Sequence, residues 1–284
     1  MSLNNFIPTI WSARLLANLF KSLVYAQTGI VNRDYEGEIQ QKGDTVKING
    51  IGPVTVSDYT KNSDINSPET LSDADQVLVI EKQKYFNFQV DDIDRVQQFP
   101  SVMDAAMREA AYALADAADQ YVALMHSSAV AANLLGDDTT PTVIDTGAKA
   151  YEALVDLNVL LTDAKIPKSD RWAIVPPWFY GRLLKDDRFV KSGTPAGDAV
   201  LRNGEVGKAA GFTILESHNV PNTSATKYKI ICGHPMAYSF AEQVNKTEAY
   251  RPEKRFADAI KGLHLYGGKL VRNTAIAVGT FNKS

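Results

Sequence analysis

PSVMDAAMREAAYALADAADQYVALMH, residues 100–126, is the stretch on which the reading of this fold turns. Pro100 and Ser101 open a helix, and Asp104 stands three residues past the serine, in the spacing of a capping box. Met103, Met107, Ala110, Leu114, Ala117, Tyr121 and Leu124 recur at steps of three and four, which predicts one apolar stripe. A helix over residues 102–126 would run about 38 Å at 1.5 Å per residue, longer than the average globular helix. Its many alanines permit close packing against a sheet. Taken alone, such a helix would equally suit the core of an enzyme.

Toward the N-terminus the pattern changes to short strands. Residues 44–49 alternate apolar and polar, as a half-buried strand does. Gly50-Ile-Gly-Pro53 is expected to break that strand and residues 54–56 to start a return strand. The Ser-, Asn-, Asp-, Thr- and Pro-containing span 58–75 reads as a loop. Strand pattern resumes at residues 77–80 and 85–90. The whole region 36–90 is therefore expected to be a long two-stranded excursion with little core of its own. Such a hairpin is marginal in water and needs a surface to lie on, for which a partner subunit is the natural candidate.

Toward the C-terminus the chain reads as a compact α/β unit. Residues 148–164 form an amphipathic helix, with Pro167 just beyond it. Residues 171–175 form a strand stopped by Pro176 and Pro177, and residues 178–184 form a second helix. Residues 191–208 are polar and glycine-containing and predict an exposed loop. Further strands are expected at 212–215, 227–232 and, near the end, 274–278.

Composition bounds the function. With 284 residues, 45% apolar and 22% charged, the chain can bury a real core in one large domain or two smaller ones. Its net charge of -3 gives no basic balance for wrapping nucleic acid by counterion release, which argues against a sequence-specific DNA binder. The single cysteine, Cys232, cannot close an intrachain disulfide. Its apolar neighbours predict a buried strand thiol, and the default is a reducing, cytoplasmic origin. Residues 6–26 are rich in apolar and small side chains, but Arg14 and Lys21 interrupt them, so neither a membrane span nor an export signal is expected. Trp11 and the sequence that follows argue against a transit peptide.

Charge is segregated along the chain. Residues 1–33 contain Arg14, Lys21 and Arg33 and no acid, whereas Asp58, Asp64, Glu69, Asp73 and Asp75 crowd one later span. Two readings stand. Both segments are ordinary solvated faces, or the basic arm lies across the acidic segment of a neighbouring copy, in which case added salt weakens assembly. On the second reading Trp11, Arg14, Lys21, Arg33, Asp58, Asp64, Glu69 and Asp73 are the candidate inter-subunit contacts, with Trp11 as an aromatic anchor.

No catalytic, cofactor-binding or metal site is legible. Gly50-Ile-Gly52 lacks the third glycine and following helix of a dinucleotide site, and Gly267-Gly-Lys269 lacks the spacing of a phosphate loop. His126, His218, His234 and His264 are dispersed, without a second cysteine to complete a zinc site or a thiol relay. Asp91, Asp92 and Asp94 read as an acidic turn after a strand rather than a cation site. An α/β enzyme would need a clustered acid, base or nucleophile, and none stands out.

Four strings then acquire meaning together: Asn4-Asn-Phe-Ile-Pro8 with Trp11, Asn32-Arg-Asp-Tyr-Glu-Gly-Glu38, Gly43-Asp-Thr-Val-Lys-Ile48 and Lys84-Tyr-Phe-Asn-Phe-Gln-Val-Asp-Asp92. With Ala111, Ala115, Asp116 and Asp119 on the helix, their order over roughly the first 125 residues resembles tailed-bacteriophage major capsid proteins. The second half matches in element order. The resemblance implies an α+β, HK97-like capsid fold. Its parts would be an N-terminal arm (1–35), an extended two-stranded loop (36–92), a peripheral domain (93–147 and 239–284) with its spine helix at 102–126, and an axial domain (148–238). It further implies self-assembly into hexamers and pentamers of an icosahedral shell around double-stranded DNA, touched non-specifically, with scaffolding and portal proteins as partners, no membrane and no cofactor. Assembly would occur in the host bacterial cytoplasm and the product would be the virion capsid. Lys42, Lys47 and Lys61 lie in the loop, but nothing singles one out for a covalent crosslink. An encapsulin-like shell enclosing cargo enzymes would share the fold.

Overall fold

The computed structural model describes residues 24–34, 45–51, 56–59, 61, 62, 64, 67, 73–91, 101–186, 205–254 and 257–283. Strand β1 (Thr45–Ile51) pairs antiparallel with β2 (Asp73–Val79), from Thr45 opposite Val79 to Ile51 opposite Asp73. The strand ends within the span 50–53 expected to break it: Gly50 and Ile51 still pair, opposite Ala74 and Asp73, because backbone pairing needs no side chain. Asp73 and Asp75, expected in the loop, lie in β2. Of the proposed return strand, residues 54 and 55 fall outside the described residues and Val56 lies in neither strand. Strand β3 (Lys82–Asp91) follows at once, but leaves the excursion and joins the body.

Helix α1 (Ser101–Leu124) is the long helix expected, and a 3-10 turn, Met125–Ser128, continues it. At its end a His126 ring nitrogen lies 2.8 Å from the Ala123 carbonyl, and the Ser127 hydroxyl donates to the Leu124 carbonyl at 3.2 Å, so two carbonyls of the last turn gain side-chain partners. The buried face differs from the expected stripe. Met107, Ala111, Leu114, Ala115, Ala118 and Val122 are buried, Tyr121 sits at the rim, and Leu124 is 61% exposed. The small alanines let the helix approach its sheet closely, and that contact turns the alanine-rich side inward.

Short strands β4 (Leu134–Leu135) and β5 (Thr142–Ile144) lead into helix α2 (Gly147–Asp163). Thr146 caps α2 by accepting from the Lys149 N–H, and Ala150, Ala153, Leu154, Leu157 and Leu161 form its buried stripe. Beyond its C-terminus the buried Arg171 donates to the carbonyls of Ile166 at 2.6 Å, Pro167 at 2.8 Å and Asn158 at 3.1 Å, fixing the turn into strand β6 (Trp172–Val175). Pro177 begins helix α3 (Pro177–Leu183), where its missing N–H costs nothing.

Strand β7 (Glu205–Ala209) takes the end of the expected 191–208 loop, the rest of which lies outside the described residues. Then come β8 (Phe212–Glu216), β9 (Asn222–Thr223), β10 (Lys227–Gly233), β11 (Tyr238–Tyr250), β12 (Ala257–Leu270) and β13 (Ile276–Lys283). Thr274, expected in the last strand, lies in the 3-10 turn before it. The largest sheet has the order β4-β13-β10-β6-β8-β7, with β5 and β9 on its flanks. The β6–β8 pair is parallel and α3 lies between those strands in sequence, while α2 packs on β13, β10 and α3. A three-stranded antiparallel sheet, β11-β12-β3, carries α1 over β12 and β3. Strand β3, within the span expected to be the excursion, pairs with β12, and β13, within the span 239–284, pairs with β10.

Candidate assembly interface

Residues 24–34 lie within the span expected to be an N-terminal arm, and the body grips them at three points. A turn at Gln27–Ile30 reverses the chain, with the Ile30 N–H on the Gln27 carbonyl at 3.0 Å and Gly29 at φ 115°, a conformation suited to glycine. At one end Asp119 of α1 accepts from the N–H groups of Val24 at 2.9 Å and Tyr25 at 2.6 Å. Its other oxygen accepts from the Asn219 amide at 3.0 Å. Burial pushes this carboxyl above its ordinary range, and the Asn219 and backbone donors oppose that shift. At the other end Asn32 borders β11, its N–H on the Tyr238 carbonyl at 2.8 Å and its carbonyl accepting from Phe240 at 2.9 Å.

Arg33 then turns inward. It donates to the Ala26 carbonyl at 2.9 Å, lies 5.5 Å above the Phe240 ring, and pairs with Glu242 at 2.9 Å. The second Glu242 oxygen is 3.2 Å from Nε2 of His264, which is wholly buried. Between these grips Tyr25, Ala26, Ile30 and Val31 enter the main core at 0–3% exposure. Four residues of the acid-free segment 1–33 are thus core. Val24 and Tyr25 lie in a bend and turn.

The β1–β2 pair is the second candidate surface, and its foot is seated on its own subunit. Val46, Leu78 and Ile80 bury against Ala241 and Leu265 of the three-stranded sheet. The Lys269 ammonium donates to the Val77 carbonyl at 3.0 Å, and the Gln76 amide donates to the Val271 carbonyl at 3.0 Å. Gly267 makes this seat possible: a Cβ there would collide with the Val79 carbonyl and stand 2.9 Å from the Ile80 Cα. Gly267→Ala is expected to lower stability by about 1–3 kcal/mol and to lift the foot of the hairpin. Denaturant unfolding, with proteolysis between β1 and β2, measures both; an unchanged midpoint and digestion rate would contradict the packing. Past the foot, Val56 is 94% and Tyr59 72% exposed, an apolar pair that a lone subunit leaves in water.

The residues expected to touch a neighbour are thus differently placed. Arg33 is engaged within its own subunit, and Asp58 and Asp64 are exposed beyond the hairpin foot. Asp73 starts β2, with its side chain outside the description. Trp11, Arg14, Lys21 and Glu69 lie outside the described residues. Sequence reasoning assigned no role to Asp119, Asn219, Glu242 or His264.

Chemically the arrangement is structural. The His264–Glu242 pair is closed off from solvent, and Arg33 occupies the remaining carboxylate oxygen. Cys232 is buried in β10 as expected, and burial pushes its thiol far up. Among the described residues no group of three or more His, Cys, Asp or Glu could hold a metal ion, and no helix is long and apolar enough to cross a membrane.

The chain matches the family model described as phage capsid protein over residues 73–278. No curated protein matches it. Among solved structures, one from Mycobacterium phage Che8 is 30% identical, with the likeness covering 99% of this chain and 98% of that one at a TM-score of 0.69. The capsid of cyanophage P-SCSP1u is 17% identical over 87% of this chain and 85% of its own, at a TM-score of 0.68. A virus-like particle from Pyrococcus furiosus is 16% identical over 96% and 99%, at a TM-score of 0.53. The last two speak for the fold alone, which is HK97-like. With most of its length inside the family model and a 30% identical relative over nearly its whole length, the chain belongs to the phage capsid protein family and is a tailed-phage major capsid protein, a structural subunit of the shell.

Proposed function

We propose that the subunit assembles into hexamers and pentamers that close an icosahedral shell around double-stranded DNA in the host cytoplasm, with scaffolding and portal proteins as partners. The observation that carries this reading is the exposed apolar pair Val56 and Tyr59, beyond a hairpin whose foot is fixed to the body. A second copy supplies the surface that such an excursion lacks, and contacts of this head-to-tail kind close into rings when the rotation permits. The peripheral part comprises α1 with the β11-β12-β3 sheet, and the axial part comprises the large sheet with α2 and α3. The arm residues Trp11, Arg14 and Lys21 and the acids Asp58, Asp64, Glu69 and Asp73 are the proposed contacts between copies.

Expressing the full chain alone and viewing it by electron microscopy tests the reading. Discrete closed particles with five- and six-fold clusters are expected, and a small oligomer under all salt and scaffold conditions would overturn it. The likeness to the Pyrococcus furiosus virus-like particle keeps a cargo-enclosing shell as a second reading. Particles from the native source are expected to hold nuclease-protected double-stranded DNA; protein cargo without DNA would favour the second reading.

A further inference from the structure

An open sheet edge is a template for another strand, and proteins blunt their edges with short strands, bulges or cover. Among the described residues the two body sheets do so at every edge but one. In the large sheet the flanking strands β4, β5 and β9 are two or three residues long, and β7 at the far side has five residues with a register shift between Glu205 and Gly207. In the three-stranded sheet β11 shifts register between Val244 and Lys246, and Asn32 pairs with it at Ser239. Strand β3 is the opposite edge. It is ten residues long, pairs with β12 without a bulge from Asp91 opposite Ala257 to Lys82 opposite Tyr266, and meets no backbone partner on its other side among the described residues. Every second residue of it therefore turns its N–H and C=O away from β12. Gln83, Lys84, Tyr85, Asn87 and Gln89 are all exposed.

We infer that this edge takes the β3 of a second copy, antiparallel about a two-fold axis at Asn87. The sequence of the strand favours that register. Residues 85–89 carry no charge, while Lys82 and Lys84 stand at the start of the strand and Asp91 at its end. Pairing Asn87 with Asn87 sets Asp91 opposite Gln83, between the two lysines of the other copy, at both ends of the ladder. A parallel pairing would place like charges side by side instead. On one face Phe86 and Phe88 are half-buried, with their rings stacked 5.9 Å apart. The register sets each Phe86 opposite the partner's Phe88, and aromatic pairs across strands stabilise such ladders. On the other face Tyr85, 78% exposed, comes opposite Gln89. The joined sheet has six strands, and both of its outer edges are the blunted β11. This contact is isologous, unlike the head-to-tail contacts of a ring, so in a shell it joins copies of neighbouring rings. Only that last step rests on the assembly reading above.

The test uses the full chain carrying Asn87→Cys, oxidised mildly. Directly paired Cα atoms stand about 5 Å apart, within the span of a disulfide, and the native thiol of Cys232 is buried and does not compete. Disulfide-linked dimers are expected to form at least about tenfold faster than with Gln83→Cys, whose two copies lie about 27 Å apart along the ladder. Equal rates, or no dimer from Asn87→Cys, would overturn the inference. A second measurement leaves Asn87 in place and mixes Tyr85→Cys chains with Gln89→Cys chains. The mixed dimer is expected to dominate, and Tyr85→Cys linking to itself as fast would overturn the antiparallel register. Closed particles in which neither set links defeat the edge pairing alone. Linked dimers that never close into particles refute the assembly reading and leave the edge pairing intact.

Discussion

Deleting residues 1–33 will unfold the subunit, whereas deleting residues 1–23 will leave it folded and poor at closing shells. The difference lies in ten residues. Tyr25, Ile30 and Val31 are 1%, 3% and 2% exposed, and each large apolar side chain withdrawn from water contributes about 1.5–3 kcal/mol. Their loss removes roughly 5–9 kcal/mol as an upper estimate, comparable with the whole stability of a typical domain. The longer deletion also strips Asp119 of two backbone donors and Glu242 of its arginine. Near-UV circular dichroism and thermal unfolding separate the two truncations, and electron microscopy reads assembly. A longer truncation with an unchanged Tm would show that the arm root is dispensable, and complete shells from the shorter one would remove residues 1–23 from assembly.

Much of this architecture was legible because the relevant signals are local. The helix at Ser101–Leu124 was visible in its alanine-rich 3–4 spacing, and α2, β6 and α3 in their apolar periods and in the proline pair at residues 176 and 177. The error in the stripe of α1 has a physical source. Leu124 and Tyr121 are larger and more apolar than Ala111, Ala115 and Ala118, so size alone favours them for the interior. Close approach of helix to sheet selects the alanines instead.

The two longest strands, β11 and β12, left no clear trace. In β12 His264, Leu265, Tyr266 and Gly267 are buried in succession, because α1 covers one face and the hairpin foot the other, so the alternation of a half-exposed strand is lost. Gly262, Gly267 and Gly268 weaken the pattern further. In β11 a buried glutamate looks like a surface residue until its partner is found, and Arg33 lies far away in sequence. The role of Asp119 was equally hidden, since two of its partners are backbone N–H groups, which every residue but proline carries, and the third, Asn219, lies far away in sequence. The sequence resemblance rested on strings in the first half, yet the family match runs through residues 73–278. The second half thus carries residue-level family signal that reading by element order did not extract.

Arg33→Met will cost about 3–5 kcal/mol, and adding Glu242→Gln will restore most of the loss. Glu242 and Arg33 have side chains only 2% and 8% exposed, so removing the arginine leaves a carboxylate buried without its main compensating charge. A neutral glutamine removes that buried charge and can still offer its amide oxygen to the His264 ring, 3.2 Å from the present carboxylate. Methionine is long and flexible enough to retain much of the contact over Phe240, although not the cation–π attraction, worth about 0.5–2 kcal/mol. Arg33→Lys separates charge from geometry: a lysine keeps the positive charge, but a single ammonium cannot reproduce the planar fork that meets the Ala26 carbonyl and Glu242 together. It should fall between wild type and Arg33→Met. Denaturant unfolding of the four proteins measures the cycle. A loss under about 1 kcal/mol for Arg33→Met would mean that the pair is solvated and does not pin the arm root. A double variant no more stable than the single one would locate the cost in lost packing instead of the stranded charge.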